Sequence, residues 1–265
     1  MTAVMSTTPN LAELPESGSG KVNIRLQSTC PHCGKVTTTD LVVDEFVAQL
    51  MVGRCNSNSA CTECAGKIKA AKEESMRLAR IEENLRTSGI GEKFLGKWDP
   101  AIGNRKLANV IRENSGKHLF VVGAYGAGKT SCTSVNLERQ IKAGKRGKYY
   151  KFNHLAHDYS QSFSKGETAP KDFIAGIFRY DVVVIDDLCK KEIVSKTAAE
   201  FCYELLDYIY EHDVTCRVWF TSNITPAKLH TKFESQDLAS AVASRIDRLH
   251  NAGQLVMIKA EDFAK

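Results

Sequence analysis

Apolar and polar positions fall into two regimes along the chain. From about residue 101 onward, short apolar runs alternate with amphipathic stretches. The runs at His118–Val122, Gly147–Asn153, Asp181–Asp186, Thr215–Thr221 and Gln254–Lys259 predict β-strands, and residues 105–114, 129–143, 196–212 and 237–250 predict helices. Val182–Ile185 (VVVI) is continuous and β-branched, which marks a strand buried on both faces. Strands alternating with helices predict an α/β domain with a parallel sheet covered on both sides.

The first hundred residues read differently. Residues 1–20 are rich in Thr, Ser, Pro and Gly and read as a flexible tail. Residues 21–66 contain short β-like pieces such as Lys21–Gln27, with Asp44–Val52 a candidate short helix. So small a segment has too little core to stand without a staple. Residues 66–86 are helix formers with interleaved charges, and Glu73 and Arg77 are spaced as an i,i+4 pair on an exposed helix. Gly89 and Gly91 then break the pattern. The resulting division is a tail over 1–20, a module over 21–66, a connecting helix and lead-in over 67–100, and a main domain over 101–265.

Composition narrows the classes. A chain of 265 residues accommodates one large domain, or one domain and a small module. Its 43% hydrophobic and 25% charged fractions exclude a disordered, collagenous or coiled-coil bulk. The net charge of +5 permits a nucleic-acid partner without requiring one. No apolar run approaches the roughly 18 residues of a membrane span. The start lacks the cationic and apolar regions of a secretory signal, so a cytoplasmic protein without membrane contact is expected. Nine cysteines, an odd number, include two CxxC pairs, a pattern that in a reducing compartment argues for metal.

Those pairs are Cys30-Pro-His-Cys33 and Cys61-Thr-Glu-Cys64, with 27 residues between them. Two CxxC turns, each aiming two thiolates at one point, form a closed tetrahedral Zn²⁺ site. Gly34 and Gly66 suit the sharp exits of such turns. Cys55 and His32 are possible substitute ligands and are read as bystanders. Cys132, Cys189, Cys202 and Cys216 read as small buried hydrophobes.

Residues 123–130, Gly-Ala-Tyr-Gly-Ala-Gly-Lys-Thr, fit the phosphate-loop pattern GxxxxGK[ST], and they lie between a predicted strand and a predicted helix. Gly123, Gly126 and Gly128 allow the backbone to turn its N–H groups toward phosphate oxygens. The helix start adds its positive end. Lys129 supplies charge to the β- and γ-phosphates, and Thr130 supplies a hydroxyl to Mg²⁺. Tyr125, Ala127 and Ser131 complete the nucleotide contact. Downstream, four apolar residues end in Asp186-Asp187 at the edge of a sheet where ligands bind. Asp186 is expected to hold Mg²⁺ and Asp187 to polarise the attacking water. The apolar run Trp219–Phe220 ends in Thr221-Ser222-Asn223, and Asn223 is expected to orient that water.

Together with Ala243–Leu249 (ASRIDRL) and the lead-in Ser88–Trp98, these elements resemble the AAA+ ATPases of the DnaC/DnaI helicase-loader and IstB group. The likeness covers about residues 86–262. It implies a P-loop AAA+ (ASCE) core with a parallel five-stranded sheet in the order 5-1-4-3-2, beside the small N-terminal zinc-binding module. It also implies ATP bound between subunits of a ring or spiral homo-oligomer, and an arginine supplied by the next subunit. Arg245 matches that arginine, with Arg248 second. Only about 20 residues follow Arg245, so a reduced lid is expected. Asp187 stands where many such enzymes have Glu. It is one methylene shorter, and slow turnover is expected.

The resemblance implies a loader that delivers a hexameric replicative helicase onto single-stranded DNA. The alternative within the group is a transposition helper that binds DNA and recruits a transposase. A small-molecule kinase fits poorly with Asn223 and Arg245, and a zinc-containing DNA-binding protein with a dead nucleotide site is the remaining class. Lys190, Lys191 and Lys196 follow the acidic strand tip and are the candidate DNA contacts, ahead of Lys142–Lys148 at a helix end.

Overall fold

A computed structural model describes residues 21–44, 62–96, 104–190, 194–212 and 214–263. Cys55, Cys61, Lys191, the tail over 1–20 and residues 45–52 of the candidate short helix lie outside the described residues. The chain divides into two compact units at Arg77/Leu78.

In the first unit, β1 (Lys21–Thr29) and β2 (Val36–Asp44) form an antiparallel hairpin, with Thr29 opposite Val36. Asp44 therefore ends a strand and does not begin a helix. Helix α1 (Thr62–Thr87) starts four residues before its expected position. Cys64 and Gly66 consequently lie in helix, and Gly66 is not the exit of a turn. Arg77 takes Glu74 in a two-pronged pair at 2.7 and 2.8 Å, while Glu73 faces Lys69 at 3.9 Å; the expected Glu73–Arg77 pair is not the one formed. A fork of two parallel N–H···O bonds at i,i+3 outcompetes a single contact at i,i+4.

The second unit is a three-layer α/β/α domain. Its sheet contains β3 (His118–Val122), β4 (Gly147–Lys151), β5 (Val182–Leu188), β6 (Arg217–Ser222) and β7 (Leu255–Lys259). All are parallel, in the order β4-β5-β6-β3-β7. Counted within the domain this is 5-1-4-3-2, as the resemblance implies. Alternate side chains of each strand go to opposite faces. Phe120, Val183, Ile185, Val218 and Phe220 pack with α4 (Phe152–Ser162), α5 (Ala169–Ile177), α6 (Lys196–Glu211) and α7 (Gln236–Asn251). Leu119, Val121, Val182, Val184 and Trp219 pack with α2 (Arg105–Glu113) and α3 (Lys129–Lys142).

Strand β4 ends at Lys151, because Phe152 and Asn153 open α4. Phe152, Leu155, Ala156 and Tyr159 are buried at helical spacing, and that burial outweighs the strand preference of the preceding aromatics. The lead-in belongs to this unit: Ile90, Phe94 and Leu95 join the α2–α3 face. Tyr149 N–H donates to the Ser88 carbonyl at 2.7 Å, so the lead-in runs beside edge strand β4. Gly89 is required there, since a Cβ would come within 2.6 Å of the Tyr149 carbonyl and its φ is +80°. Among the described residues, β7 is followed by one short 3-10 turn, Ala260–Phe263, and no helix is long and apolar enough to cross a membrane.

Candidate nucleotide site

Parallel pairing brings the C-terminal ends of β3, β5 and β6 to one edge, and each contributes part of the site. The loop after β3 turns through Gly126 (φ +80°) and Gly128 (φ +85°), left-handed values that a side chain would strain. Gly128 is the N-cap of α3 and offers no side-chain acceptor, and the first turn holds no acidic residue. The leading N–H groups of α3 therefore face the loop without a side-chain cap, which fits an anion there. Thr130 and Ser131 occupy this first turn. Tyr125 points outward and is largely exposed.

Lys129 is 7% exposed. Its Nζ donates to the carbonyls of Gly123 (2.8 Å) and Ala124 (2.9 Å) and to Asn223 Oδ1 (2.8 Å). Burial lowers its pKa, while the Asp187, Glu261 and Asp186 carboxylates act in the opposite sense. Asn223 thus holds the lysine, and its own Nδ2 is buried with no hydrogen-bond partner. A buried orphan donor beside a lysine held only by neutral oxygens fits the oxygens of a phosphate group.

Asp186 is 2% exposed and accepts from three hydroxyls: Thr130 (2.8 and 3.1 Å), Tyr149 (2.5 Å) and Thr221 (2.5 Å). The Thr130 hydroxyl and a buried carboxylate so close together form an oxygen donor set suited to Mg²⁺. The next residue breaks the strand. The β5–β6 register shifts between Ile185 and Leu188, and Asp187 and Cys189 adopt φ of +59° and +56°. These are uncommon values for residues other than glycine. They turn the Asp187 side chain toward Lys190 Nζ at 2.7 Å.

Two residues missing from the sequence reading belong here. Tyr149 sits on β4, next to β5, and its phenol is pushed to higher pKa by burial and by Asp186. Glu261, just beyond β7, accepts from Ala124 N–H at 2.6 Å. Nothing in either local sequence announces the role; each contact depends on parallel strand pairing across 37 and 137 residues respectively.

The remaining candidates lie elsewhere. Arg245 on α7 is ion-paired with Asp207 of α6 and stacks 4.5 Å from the Tyr210 ring centroid. Arg248 is exposed on the same helix. Lys190 is engaged by Asp187, and Lys196 faces Glu200 at 3.8 Å. Within the first unit, the thiol sulfurs of Cys30, Cys33 and Cys64 lie within 4.8 Å of one another. A tetrahedral zinc–thiolate site has sulfurs roughly 3.8 Å apart, so the three thiols fit such an ion with modest contraction. The turn after Cys30 closes through Gly34 N–H to the Cys30 carbonyl at 2.9 Å, with Gly34 at φ +71°.

The parallel sheet, the phosphate loop after its β3 strand and the acidic tip of β5 define a P-loop nucleotide-binding protein of AAA+ type. Residues 73–265 match the family of IstB-like ATP binding proteins, and the chain belongs to that family. Among solved structures, the chain is similar to DnaI (19% identity, TM-score 0.49, covering 67% of this chain and 93% of that one). It is also similar to the DnaC helicase loader (21%, 0.46, 64% and 100%). AMPPCP-bound DnaA from Aquifex aeolicus gives 21%, 0.46, 64% and 51%, so the chain spans about half the length of that protein. Likeness at this level concerns fold and says nothing about activity. A comparison with curated proteins finds no match.

Proposed function

We propose that this protein is an ATP-dependent loader that places a hexameric replicative helicase on single-stranded DNA, working as a homo-oligomer. The observation that supports the reading is the pairing of a core of the ATP-binding family with a separate N-terminal unit in which three thiols cluster at a spacing suited to a metal ion. A switch protein needs a nucleotide site and a partner-binding part, and this chain supplies candidates for both.

In this reading the loop N–H groups from Gly126 to Thr130 hold the phosphates, and Lys129 exchanges the Gly123 and Ala124 carbonyls for phosphate oxygens. Thr130 and Asp186 hold Mg²⁺, with Tyr149 and Thr221 fixing the carboxylate. ATP supplies the phosphoryl group, and Mg²⁺ neutralises its charge. Asp187, once Lys190 releases it, accepts the proton of the attacking water, which Asn223 Nδ2 orients. Arg245 of a neighbouring subunit exchanges Asp207 for the developing phosphate charge. Cys30, Cys33 and Cys64, with Cys61 as the expected fourth ligand, would hold Zn²⁺. Lys190 and Lys196 contact DNA phosphates once Asp187 and Glu200 let go, and Lys191 is the third candidate contact.

A second reading, a transposition helper that binds DNA and recruits a transposase, draws on the resemblance to the IstB group together with the family match over residues 73–265. Capture experiments with the tagged full chain and ATP separate the two. Recovery of a replicative helicase supports the loader; recovery of a transposase without helicase refutes it.

A further inference from the structure

We infer that Glu261 is a positioning residue for nucleotide binding: its carboxylate anchors the entry of the phosphate loop and aims that peptide at Lys129. The inference rests on the reading of Gly123–Thr130 as the ATP site.

Parallel pairing of β3 with β7 places Val122 opposite Lys259, so the residues that follow, Gly123 and Ala260, leave the sheet side by side. Gly123 allows the close approach. A Cβ there would stand 2.7 Å from the Ala260 Cβ and 3.0 Å from Glu261 Oε1. The short turn Ala260–Phe263 then brings the Glu261 carboxylate over the loop, where it accepts from Ala124 N–H at 2.6 Å.

That amide shares its peptide plane with the Gly123 carbonyl. A trans peptide points its N–H and C=O in opposite directions. Fixing the N–H on Glu261 therefore turns the Gly123 carbonyl to the other side, where it accepts from Lys129 Nζ at 2.8 Å. One carboxylate thus sets the orientation of the first loop peptide and, through it, the resting place of the lysine. A carboxylate near a triphosphate also repels it. The tether and the charge act oppositely on ATP affinity, so they can be separated.

Glu261→Gln retains an oxygen acceptor for Ala124 N–H and removes the charge. Glu261→Ala removes both. The full chain is titrated with a fluorescent ATP analogue, with and without Mg²⁺, beside Lys129→Ala. The parent and Glu261→Gln are expected to bind alike, or Gln more tightly. Glu261→Ala is expected to bind about fivefold more weakly, the worth of one solvent-exposed hydrogen bond. Thermal unfolding of the nucleotide-free variants shows whether the Ala variant is folded; Glu261 is exposed, and an unchanged midpoint is expected. Equal binding by Glu261→Ala and the parent overturns the inference. So does an equal loss in Ala and Gln, which would assign the effect to charge. If the parent itself does not bind the analogue, the ATP reading falls and takes the inference with it.

Discussion

Replacing Tyr149 by Phe tests the arrangement around Asp186 with little disturbance of packing. The ring stays in place beside β5, and only the hydroxyl that donates to Asp186 at 2.5 Å is lost. Asp186 is 2% exposed, so water has poor access to the vacated lone pair. A hydrogen bond to a charged group contributes about 1.5–3 kcal/mol. Thr130 and Thr221 still hold the carboxylate, which places the expected loss near the lower end, about 2 kcal/mol. For a domain of this size that lowers the thermal midpoint by roughly 4–8 °C. Circular dichroism melts at pH 7 without nucleotide measure it. The pH dependence gives a second check. The phenol has a raised pKa in the folded chain, so its stabilising contribution is complete below the ordinary tyrosine value of about 10 and is lost as pH rises above it. The gap between parent and variant should therefore narrow above pH 10. Equal midpoints at pH 7 would refute the assignment of Tyr149 as a support for Asp186.

Three further outcomes are expected. His118 is buried, accepts from Val218 N–H at 3.1 Å and has its pKa lowered to about 4 by burial and by Arg217. The unfolded chain binds that proton first, so stability present above pH 6.5 should fall by roughly 3 kcal/mol between pH 6.5 and 4, and denaturant melts of His118→Asn should lack this share of the slope. Purified protein should carry about one Zn²⁺ per chain by elemental analysis, and Cys64→Ser should lose it while the ATPase core melts as before. Arg245→Ala and Lys129→Ala, each inactive in ATP hydrolysis, should regain activity when mixed, because some interfaces then combine an intact pocket with an intact arginine. If co-assembly is demonstrated and no activity returns, Arg248 takes the role.

Much of the core was legible because buried parallel strands read as short continuous apolar runs, and β3 falls at the expected residues, His118–Val122. The phosphate loop and the Asp186-Asp187 tip are contiguous motifs, so their chemistry is written locally. Helices α4 and α5 were not anticipated although Phe152, Leu155, Ala156 and Tyr159 repeat at helical spacing. The preceding Tyr149-Tyr150 pair favours a strand, and Gly166 and Pro170 interrupt the stretch, so local propensity obscured the periodicity. Helix α1 reached further toward the cysteines than its composition suggested, since Thr62 and Glu63 suit a helix start as well as a metal-binding turn. Tyr149 and Glu261 were invisible for a different reason. Their importance comes from which strand lies beside which, and that is a property of the sheet order.

The central claim is that Gly123–Thr130 and Asp186 form an ATP site. Isothermal titration of the full chain with ATP and Mg²⁺, beside Lys129→Ala, tests it most directly. One ATP per chain is expected for the parent, and no measurable binding for a Lys129→Ala variant that melts like the parent. Equal affinity in the two proteins would contradict it.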